Sequence, residues 1–291
     1  MRRAKTSRTS VPVAASKPPL LTYIRGILAS LNPTERLIGE CVLADPERIV
    51  TSPIAEIKTL AGASVGSIIG FCRKLGLEGF ADFKLALARD LAQSALSATD
   101  ISKNGSFLEK VFRFHSECLL ETLKINTEDT FEQVAQSMEK ARKIELFAIG
   151  LSYPVAYTAY CKFLLIGMPA SVNFDPHMQL ITATQLRKGD LAFGISASGS
   201  TRETVECLEV AKENGAVTVC LTNAMQSPIT LCSDLSLYAT PSEIKYFQAP
   251  LASRVTQLAV IDALFVSLAL KNKNKTAAQL QRSGEALLKR R

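Results

Sequence analysis

The sequence of 291 residues predicts an all-α domain joined to an α/β domain with a doubly wound parallel sheet. Residues 20–97 hold one helical pattern after another, opened by capping residues and ended by glycine. Beyond residue 128, short apolar strand patterns alternate with helical patterns, which is the order typical of parallel strands joined by helices. One of these strands runs directly into a serine-rich junction, Ser196–Thr201, where a helix begins.

Composition and charge set the predicted domain boundaries. Residues 1–19 hold five basic and no acidic residues, and residues 271–291 hold seven basic and one acidic residue. The net charge of +7 therefore comes from the two ends and is only a weak sign of nucleic-acid binding by the folded part. The predicted segments are a basic disordered tail at 1–19, a helical domain at 20–97, a linker and connecting helix at 98–127, an α/β domain at 128–272 and a basic C-terminal tail at 273–291.

Caps and stop residues define the helices of the first domain. Asn32 is followed three residues later by Glu35, a spacing typical of a capping box at a helix start. A helix predicted to begin at Pro53 ends at Gly62, and the next helix begins at Ser64. Two short helices joined by a tight turn that contains glycine form the helix-turn-helix pattern.

The second domain is predicted to have five strands with helices between them. The strands are Ile144–Ile149, Ala170–Val172, Asp190–Ile195, Val217–Leu221 and Leu235–Ala239. The intervening helical patterns are Val155–Ile166, Met178–Leu186 and Arg202–Glu213. Ligands of such sheets bind at the carboxyl ends of the strands, where both the Gly150–Ser152 loop and the Ser196–Thr201 loop are expected.

The serine-rich junction indicates an anion-binding site. Its donors are the hydroxyl groups and backbone N–H groups of Ser196, Ser198, Gly199, Ser200 and Thr201. The first N–H groups of the following helix are unpaired, and the helix dipole favours negative charge. No lysine follows Gly199, which excludes a nucleotide P-loop, and Ser198 replaces the first glycine of a nucleophile elbow. A small phosphorylated metabolite fits best; the alternative is a turn that only caps its helix.

Other patterns argue against several classes of protein. Seven cysteines without a Cys-x-x-Cys pair are typical of buried thiols in a reducing cytoplasm. The first 19 residues lack the apolar segment of a signal peptide, and polar residues interrupt the longest apolar helix, Leu251–Leu270. No spacing is typical of a metal site. Neither His115 nor His177 has a matched acid or base in the sequence, so no catalytic residue is assigned.

Two sets of motifs resemble one known family. In the helical domain they are Ile54–Ile57, Ala61–Ser64, Phe71–Leu77 and Gly79–Lys84. In the α/β domain they are Gly150–Ser152, Asp175–Gln179, Lys188–Asp190, Ser196–Thr201, Ser253–Gln257 and Ile261–Leu264. From about residue 20 to residue 272 the chain resembles the RpiR-type transcriptional regulators, which join a helix-turn-helix domain to a sugar isomerase (SIS) domain. It departs from them at Gly70, where they often have arginine, and in a first loop that holds less glycine.

The resemblance implies roles for residues of both domains. Ser64, Val65 and Ser67 would open the helix that faces DNA base edges, and Arg73 and Lys74 would contact phosphate. The positions that hold a sugar phosphate in SIS domains correspond to Ser152, Ser196, Ser198 and Thr201. Gly199 and Ser200 belong to the same loop, where Ser200 falls at a variable position that could still donate a hydrogen bond.

The resulting hypothesis is a cytoplasmic DNA-binding transcription regulator that senses a phosphorylated sugar. It is expected to act as a repressor of sugar or sugar-acid metabolism, without cofactor or metal and with no membrane partner. Its expected partners are a pseudo-palindromic DNA operator, the phosphosugar, and further copies of itself in a homodimer or homotetramer. Two alternatives remain open: an aldose–ketose phosphosugar isomerase with an accessory helical domain, and an adaptor in which both sites are degenerate.

Overall fold

The computed structural model describes residues 19–97, 106–242, 245–246, 249–250 and 252–289. The predicted basic tail at 1–19 lies outside the described residues except for its last residue, and so does most of the predicted linker. Within the described part, the chain has the two architectures expected from the sequence. A helical domain comes first, and a parallel sheet covered by helices follows it.

Six helices make up the described part of the first domain. They are α1 (Leu20–Ile27), α2 (Pro33–Ala44), α3 (Pro46–Thr51), α4 (Ile54–Ala61), α5 (Val65–Lys74) and α6 (Phe80–Ser97). Asn32 and Glu35 form the predicted capping box of α2. Gly62 ends α4 with a φ of 60°, and α4 and α5 meet at 95°, which is within the range of helix-turn-helix units.

The apolar face of α5 fixes this helix on the first domain. Ile68, Phe71 and Cys72 are buried there, each with about 1% of its surface exposed. Phe71 meets Phe83 of α6 edge to face, with ring centroids 6.4 Å apart. The opposite face of α5 is therefore held in a defined position at the surface.

The second domain is built on a five-stranded sheet in the order β2-β1-β3-β4-β5. The strands are β1 (Ile144–Phe147), β2 (Ala170–Val172), β3 (Leu191–Ser196), β4 (Val217–Thr222) and β5 (Leu235–Tyr238). Every neighbouring pair is parallel, so all five strands end at one edge. The strand order reverses between β1 and β3, which makes this the position where doubly wound sheets bind ligands.

Helices cover both faces of the sheet. They are α7 (Phe107–Ile125), α8 (Glu128–Lys140), α9 (Tyr153–Leu165), α10 (Pro176–Thr184), α11 (Arg202–Glu213), α12 (Pro228–Cys232) and α13 (Ala252–Lys271). One apolar core joins α8, α9 and α13 to the sheet, and another joins α10, α11 and α12 to its other face. A methyl group added at Gly194 of β3 would lie 2.7 Å from Leu208 Cδ1, so α11 lies very close to the strand.

Helix α13 is long and apolar enough to cross a membrane by length and composition alone. In the structure it is a core helix, because its side chains Ile261, Leu264 and Leu268 are buried against the sheet and its neighbouring helices. This burial accounts for the apolar residues on one side of the helix, whereas Val266 and Leu270 are exposed.

Helices also form two segments that flank the sheet in the chain, one before β1 and one after α13. The connecting helix α7 packs against α13, as a continuation of the second domain. The segment predicted as a basic tail at 273–291 contains helix α14 (Lys273–Leu288), which contacts α9 and α13. The sequence gives little sign of this helix. Thr276 is the one residue of α14 that is buried, so the segment has no buried apolar face that would show a helical pattern.

A pair of short antiparallel strands, β6 (Lys245–Tyr246) and β7 (Ala249–Pro250), precedes α13.

Candidate functional site

The first turn of α5 is exposed at the surface of the helical domain. Ser64 occupies the N-cap position, and its Oγ accepts a hydrogen bond from the Ser67 backbone N–H at 3.1 Å. The two serine hydroxyls also share a hydrogen bond of 2.9 Å. Val65, with 39% of its surface exposed, adjoins them. This places the three residues predicted to face base edges side by side on one helical turn.

The two basic residues at the end of α5 differ in their surroundings. Both Arg73 and Lys74 are exposed, but Lys74 Nζ forms an ion pair with Glu35 Oε2 of α2 at 2.6 Å. Lys74 must leave or share this partner to contact a phosphate, whereas no such ion pair is found for Arg73 within the described residues. At Gly70, an added methyl group would meet nothing within 4 Å, so this position faces open space.

The residues Ser196–Thr201, called the serine loop below, form a compact turn at the end of β3. Ser196 and Thr201 share a hydrogen bond of 2.9 Å through their hydroxyls, and Ser196 Oγ also accepts the Gly199 N–H at 3.1 Å. Ser198 Oγ accepts the Ser200 N–H at 3.2 Å. Ser196 is buried, while Ser198 and Ser200 are exposed. The loop therefore combines a fixed inner hydroxyl with outer hydroxyls that a ligand can reach.

Gly199 adopts a left-handed conformation with a φ of 65°. A methyl group at this position would lie 2.2 Å from Ser227 Oγ and 3.0 Å from Thr222 Oγ1. The backbone of the serine loop thus lies directly against the end of β4 and the segment that follows it. Both the conformation and the contact require glycine here.

A second loop, Gly150–Ser152, follows β1 and is called the β1 loop below. Strands β1 and β3 are paired in parallel, with Phe147 beside Gly194, so both loops leave the sheet at the point where the strand order reverses. Ser152 is the N-cap residue of α9 and Thr201 is the N-cap residue of α11, yet neither side chain makes a capping hydrogen bond. Two helix N-termini without side-chain caps therefore begin at neighbouring strand ends.

Comparisons with known proteins match both domains. The family model for the helix-turn-helix domain of the rpiR family matches residues 19–94, and the model for the SIS domain matches residues 137–267. An HTH-type transcriptional regulator of Caldanaerobacter subterraneus subsp. tengcongensis is 34% identical over 279 residues, which cover 94% of this chain and 98% of the relative. The chain belongs to the RpiR family of transcriptional regulators.

Another relative and a solved structure cover the chain to a similar extent. The HTH-type transcriptional regulator HexR of Pseudomonas aeruginosa is 31% identical over 277 residues, which cover 92% of this chain and 95% of HexR. Among solved structures, the Vibrio vulnificus NanR protein complexed with ManNAc-6P aligns with a TM-score of 0.62 and 24% identity, over 94% of this chain and 99% of that one. The similarity to NanR shows that the two chains share a fold.

Three buried residues with amide side chains form hydrogen bonds next to the site of this RpiR-family regulator, and the sequence predicted no role for them. Gln179 Oε1 accepts the Ala148 N–H at 3.2 Å, and its Nε2 donates to Ala148 O at 3.0 Å, just before the β1 loop. Asn223 donates its backbone N–H to Ala197 O of the serine loop at 3.1 Å. Gln257 of α13 donates to Asn223 Oδ1 at 2.9 Å. Gln179 and Gln257 lie within motifs of the family resemblance, which was the one signal available.

His177 and the buried cysteines lie outside the two loops, which offer hydrogen-bond donors. His177 is exposed in the first turn of α10. Among the described residues, no group of three or more His, Cys, Asp or Glu side chains could hold a metal ion. Burial raises the pKa of the Cys72 and Cys232 thiols to about 11 and that of Cys207 to about 12, so these thiols stay protonated at neutral pH. The serine loop and the β1 loop instead offer hydroxyl and N–H donors, which suit an anion.

Proposed function

We propose that this RpiR-family regulator binds DNA through α5, binds a phosphorylated sugar between the serine loop and the β1 loop, and changes its DNA affinity in response. In the cell it acts in the cytoplasm as a repressor of genes for sugar or sugar-acid metabolism. The sugar phosphate is the effector, and the SIS domain is its sensor.

The observation that carries the proposal is the pair of helix N-termini without side-chain caps. Thr201 leaves the first N–H groups of α11 without a side-chain acceptor. Ser152 likewise makes no side-chain cap at the start of α9, although the Tyr153 N–H there donates to Gly150 O. Unpaired N–H groups and the helix dipole both favour an anion at such a position. Each hydrogen bond from these donors to a phosphate contributes about 1.5–3 kcal/mol, so three or four of them suffice for specific binding.

The DNA-binding part of the proposal requires more than one copy of the chain. Residues 20–100 hold eight basic and nine acidic residues, so a single helical domain has little electrostatic attraction for DNA. Two copies would present two α5 helices to a pseudo-palindromic operator. The apolar side chains on the exposed face of α7 support self-association into a homodimer or homotetramer. These are Leu108, Phe112, Leu119, Leu120 and Leu123, which are 37–73% exposed.

An aldose–ketose phosphosugar isomerase is the second candidate, because the fold also occurs in enzymes. Isomerisation moves a proton between neighbouring carbons and requires a positioned acid and base. The described part of the site gives His177 no hydrogen-bonded carboxylate. The donors around the two loops are hydroxyl and N–H groups, which hold a phosphate without moving such a proton. This supports a sensor rather than an enzyme.

Two assays test the proposed function together. In the first, a mobility-shift titration uses DNA from the region upstream of the protein's own gene, with and without a panel of sugar phosphates. We expect a specific complex whose stability changes with one of them. In the second, coupled assays measure aldose–ketose interconversion of the same panel, and we expect no turnover. Turnover that is lost in His177→Ala, together with no specific DNA complex, would establish the isomerase instead.

A further inference from the structure

The segment between β4 and α12 contacts both domains. This segment, Asn223–Ser227, is called the connecting loop below. On one side it is bonded to the serine loop: the Asn223 N–H donates to Ala197 O at 3.1 Å. Just beyond it, the Ile229 N–H donates to Gly199 O at 3.0 Å. The connecting loop is thus anchored at two points to the proposed effector site.

The two loops are in close contact at Gly199 and Ser227. A methyl group at Gly199 would overlap Ser227, lying 2.2 Å from its Oγ and 2.5 Å from its Cβ. Ser227 in turn donates its hydroxyl to Ala224 O at 3.0 Å, within the connecting loop. Any displacement of Gly199 toward Ser227 must therefore move the connecting loop, because close-packed groups transmit strain.

On its other side the connecting loop holds α1 of the DNA-binding domain. The Met225 N–H donates to Gly26 O at 3.0 Å, and the Met225 side chain packs against the apolar core of the helical domain. The fit is tight, since a methyl group at Gly26 would lie 2.9 Å from Met225 Cγ. Gln226 adds a hydrogen bond from its Nε2 to the Tyr23 hydroxyl at 3.0 Å. One residue of the SIS domain thus belongs to the core of the other domain.

A pocket lies beside this contact, between the two domains. Its volume is about 520 Å³. Ala29 and Ser30, which follow α1, line it from the helical domain, and Ser198 and Ser200 of the serine loop line it from the SIS domain. The outer hydroxyls of the proposed effector site therefore face the DNA-binding domain across an open space.

We propose that the connecting loop is the element that transmits effector binding from the serine loop to α1, and through α1 to the orientation of the DNA-reading helix. This proposal rests on the proposed function. A bound phosphate competes for the donors that now form the Ser196–Thr201 and Ser198–Ser200 hydrogen bonds. The serine loop then rearranges, Gly199 displaces Ser227, and Met225 carries the shift into the helical domain. The effector acts by favouring one of two positions of α1.

A second contact between the domains supplies a matched control. Arg25 of α1 forms an ion pair of 3.4 Å with Glu121 of α7, and this contact does not touch the serine loop or the connecting loop. Removing it with Arg25→Ala weakens the docking of the domains without breaking the proposed route. Removing the Met225 side chain with Met225→Ala breaks the route but leaves the serine loop intact.

The chain contains no tryptophan, so Ala29→Trp places a single fluorescent reporter in the pocket beside the connecting loop and keeps the hydrogen bond between Gln226 and Tyr23. Inorganic phosphate, ManNAc-6P and other sugar phosphates are titrated into this full-length protein, with calorimetry and tryptophan emission measured in parallel. We expect emission to change with the same midpoint as the heat of binding. In the Met225→Ala background the heat should remain while the emission change disappears, and in the Arg25→Ala background both should remain.

The response on DNA completes the test. In wild type and in Arg25→Ala, the sugar phosphate that binds should change DNA affinity by about fivefold or more, a typical coupling between sites. In Met225→Ala this response should be lost, and Gln226→Ala should reduce it if the methionine variant folds poorly. Effector binding with unchanged emission, or a wild-type response in Met225→Ala, would overturn this proposal alone. Failure of every sugar phosphate to bind would overturn the proposed function and this inference with it.

Discussion

Two helix starts in this molecule use the same kind of residue in opposite ways. Ser64 caps α5, where its hydroxyl accepts the Ser67 N–H and so satisfies the helix from within. Thr201 occupies the same position of α11, but its hydroxyl bonds Ser196 instead and makes no cap. A capped helix end is complete without a ligand, whereas an uncapped one retains donors for an anion. The structure therefore distinguishes a hydroxyl that caps its helix from one that does not, which the sequence alone does not do.

The largest effect is expected from Gly199→Ala. The alanine would need a φ of about 65° and would overlap Ser227, so the serine loop must change its conformation. We expect the affinity for the sugar phosphate to fall by about 100-fold or more, as when two charged hydrogen bonds are lost. Calorimetry measures this loss. Gly70→Ala is the control, because its methyl group meets nothing within 4 Å and should leave effector binding unchanged.

The two helix starts themselves give the next prediction. Ser64→Ala removes a cap and should lower the free energy of unfolding by about 1 kcal/mol, with little effect on effector affinity. Thr201→Ala removes no cap and should cost less stability, but should weaken effector binding about tenfold. Chemical denaturation and calorimetry on both variants separate the two effects. The comparison fails if Thr201→Ala lowers stability as much as Ser64→Ala and binds effector as well as wild type.

A smaller difference in DNA binding is expected between variants of Arg73 and Lys74, the two basic residues at the end of α5. Arg73→Ala should weaken binding to all DNA sequences and reduce the salt slope by about one, the value for one lost phosphate contact. Lys74→Ala should have a smaller effect, because Lys74 is already paired with Glu35. Fluorescence anisotropy over a range of salt concentrations measures both slopes. Unchanged affinity in both variants would contradict the docking of α5 on DNA.

Much of the fold could be predicted because its signals are local. The capping box at Asn32 and the stop at Gly62 define their helices, and the predicted strands lie within two residues of the observed ones. Helices α3 and α12 were not predicted, because six and five residues are too few to show a period. The connecting loop could not be predicted either, since the Met225–Gly26 contact joins distant parts of the chain and leaves no pattern in the sequence.

For the site, the sequence identified residue types but not their partners. The hydroxyls of the serine loop and the β1 loop were recognised from motifs, and parallel pairing of β1 with β3 brings both loops to one edge. The ion pair of Lys74 with Glu35 was not foreseen, because it joins two helices whose packing angle the sequence does not specify. The sequence also did not predict that Ser152 and Thr201 make no capping hydrogen bond, since a serine or threonine at a helix start normally predicts a cap.

The smallest effect is expected at the N-terminus. Deleting residues 1–17 removes five basic residues and should leave the melting temperature nearly unchanged. Non-specific DNA affinity should fall modestly, because the deleted charges no longer attract phosphates. Thermal unfolding and anisotropy on a random DNA fragment measure the two quantities. A large drop in melting temperature would mean that this segment packs on the fold.

The most direct test of the central claim is calorimetry of Ser198→Ala against the sugar phosphate that binds wild type. Ser198 is exposed, belongs to a different domain from α5 and lies where the proposed phosphate would sit. We expect a loss of effector affinity of about tenfold to 100-fold, with DNA binding in the absence of effector unchanged. Effector binding as tight as in wild type would contradict it, and the serines would then serve only to shape the turn.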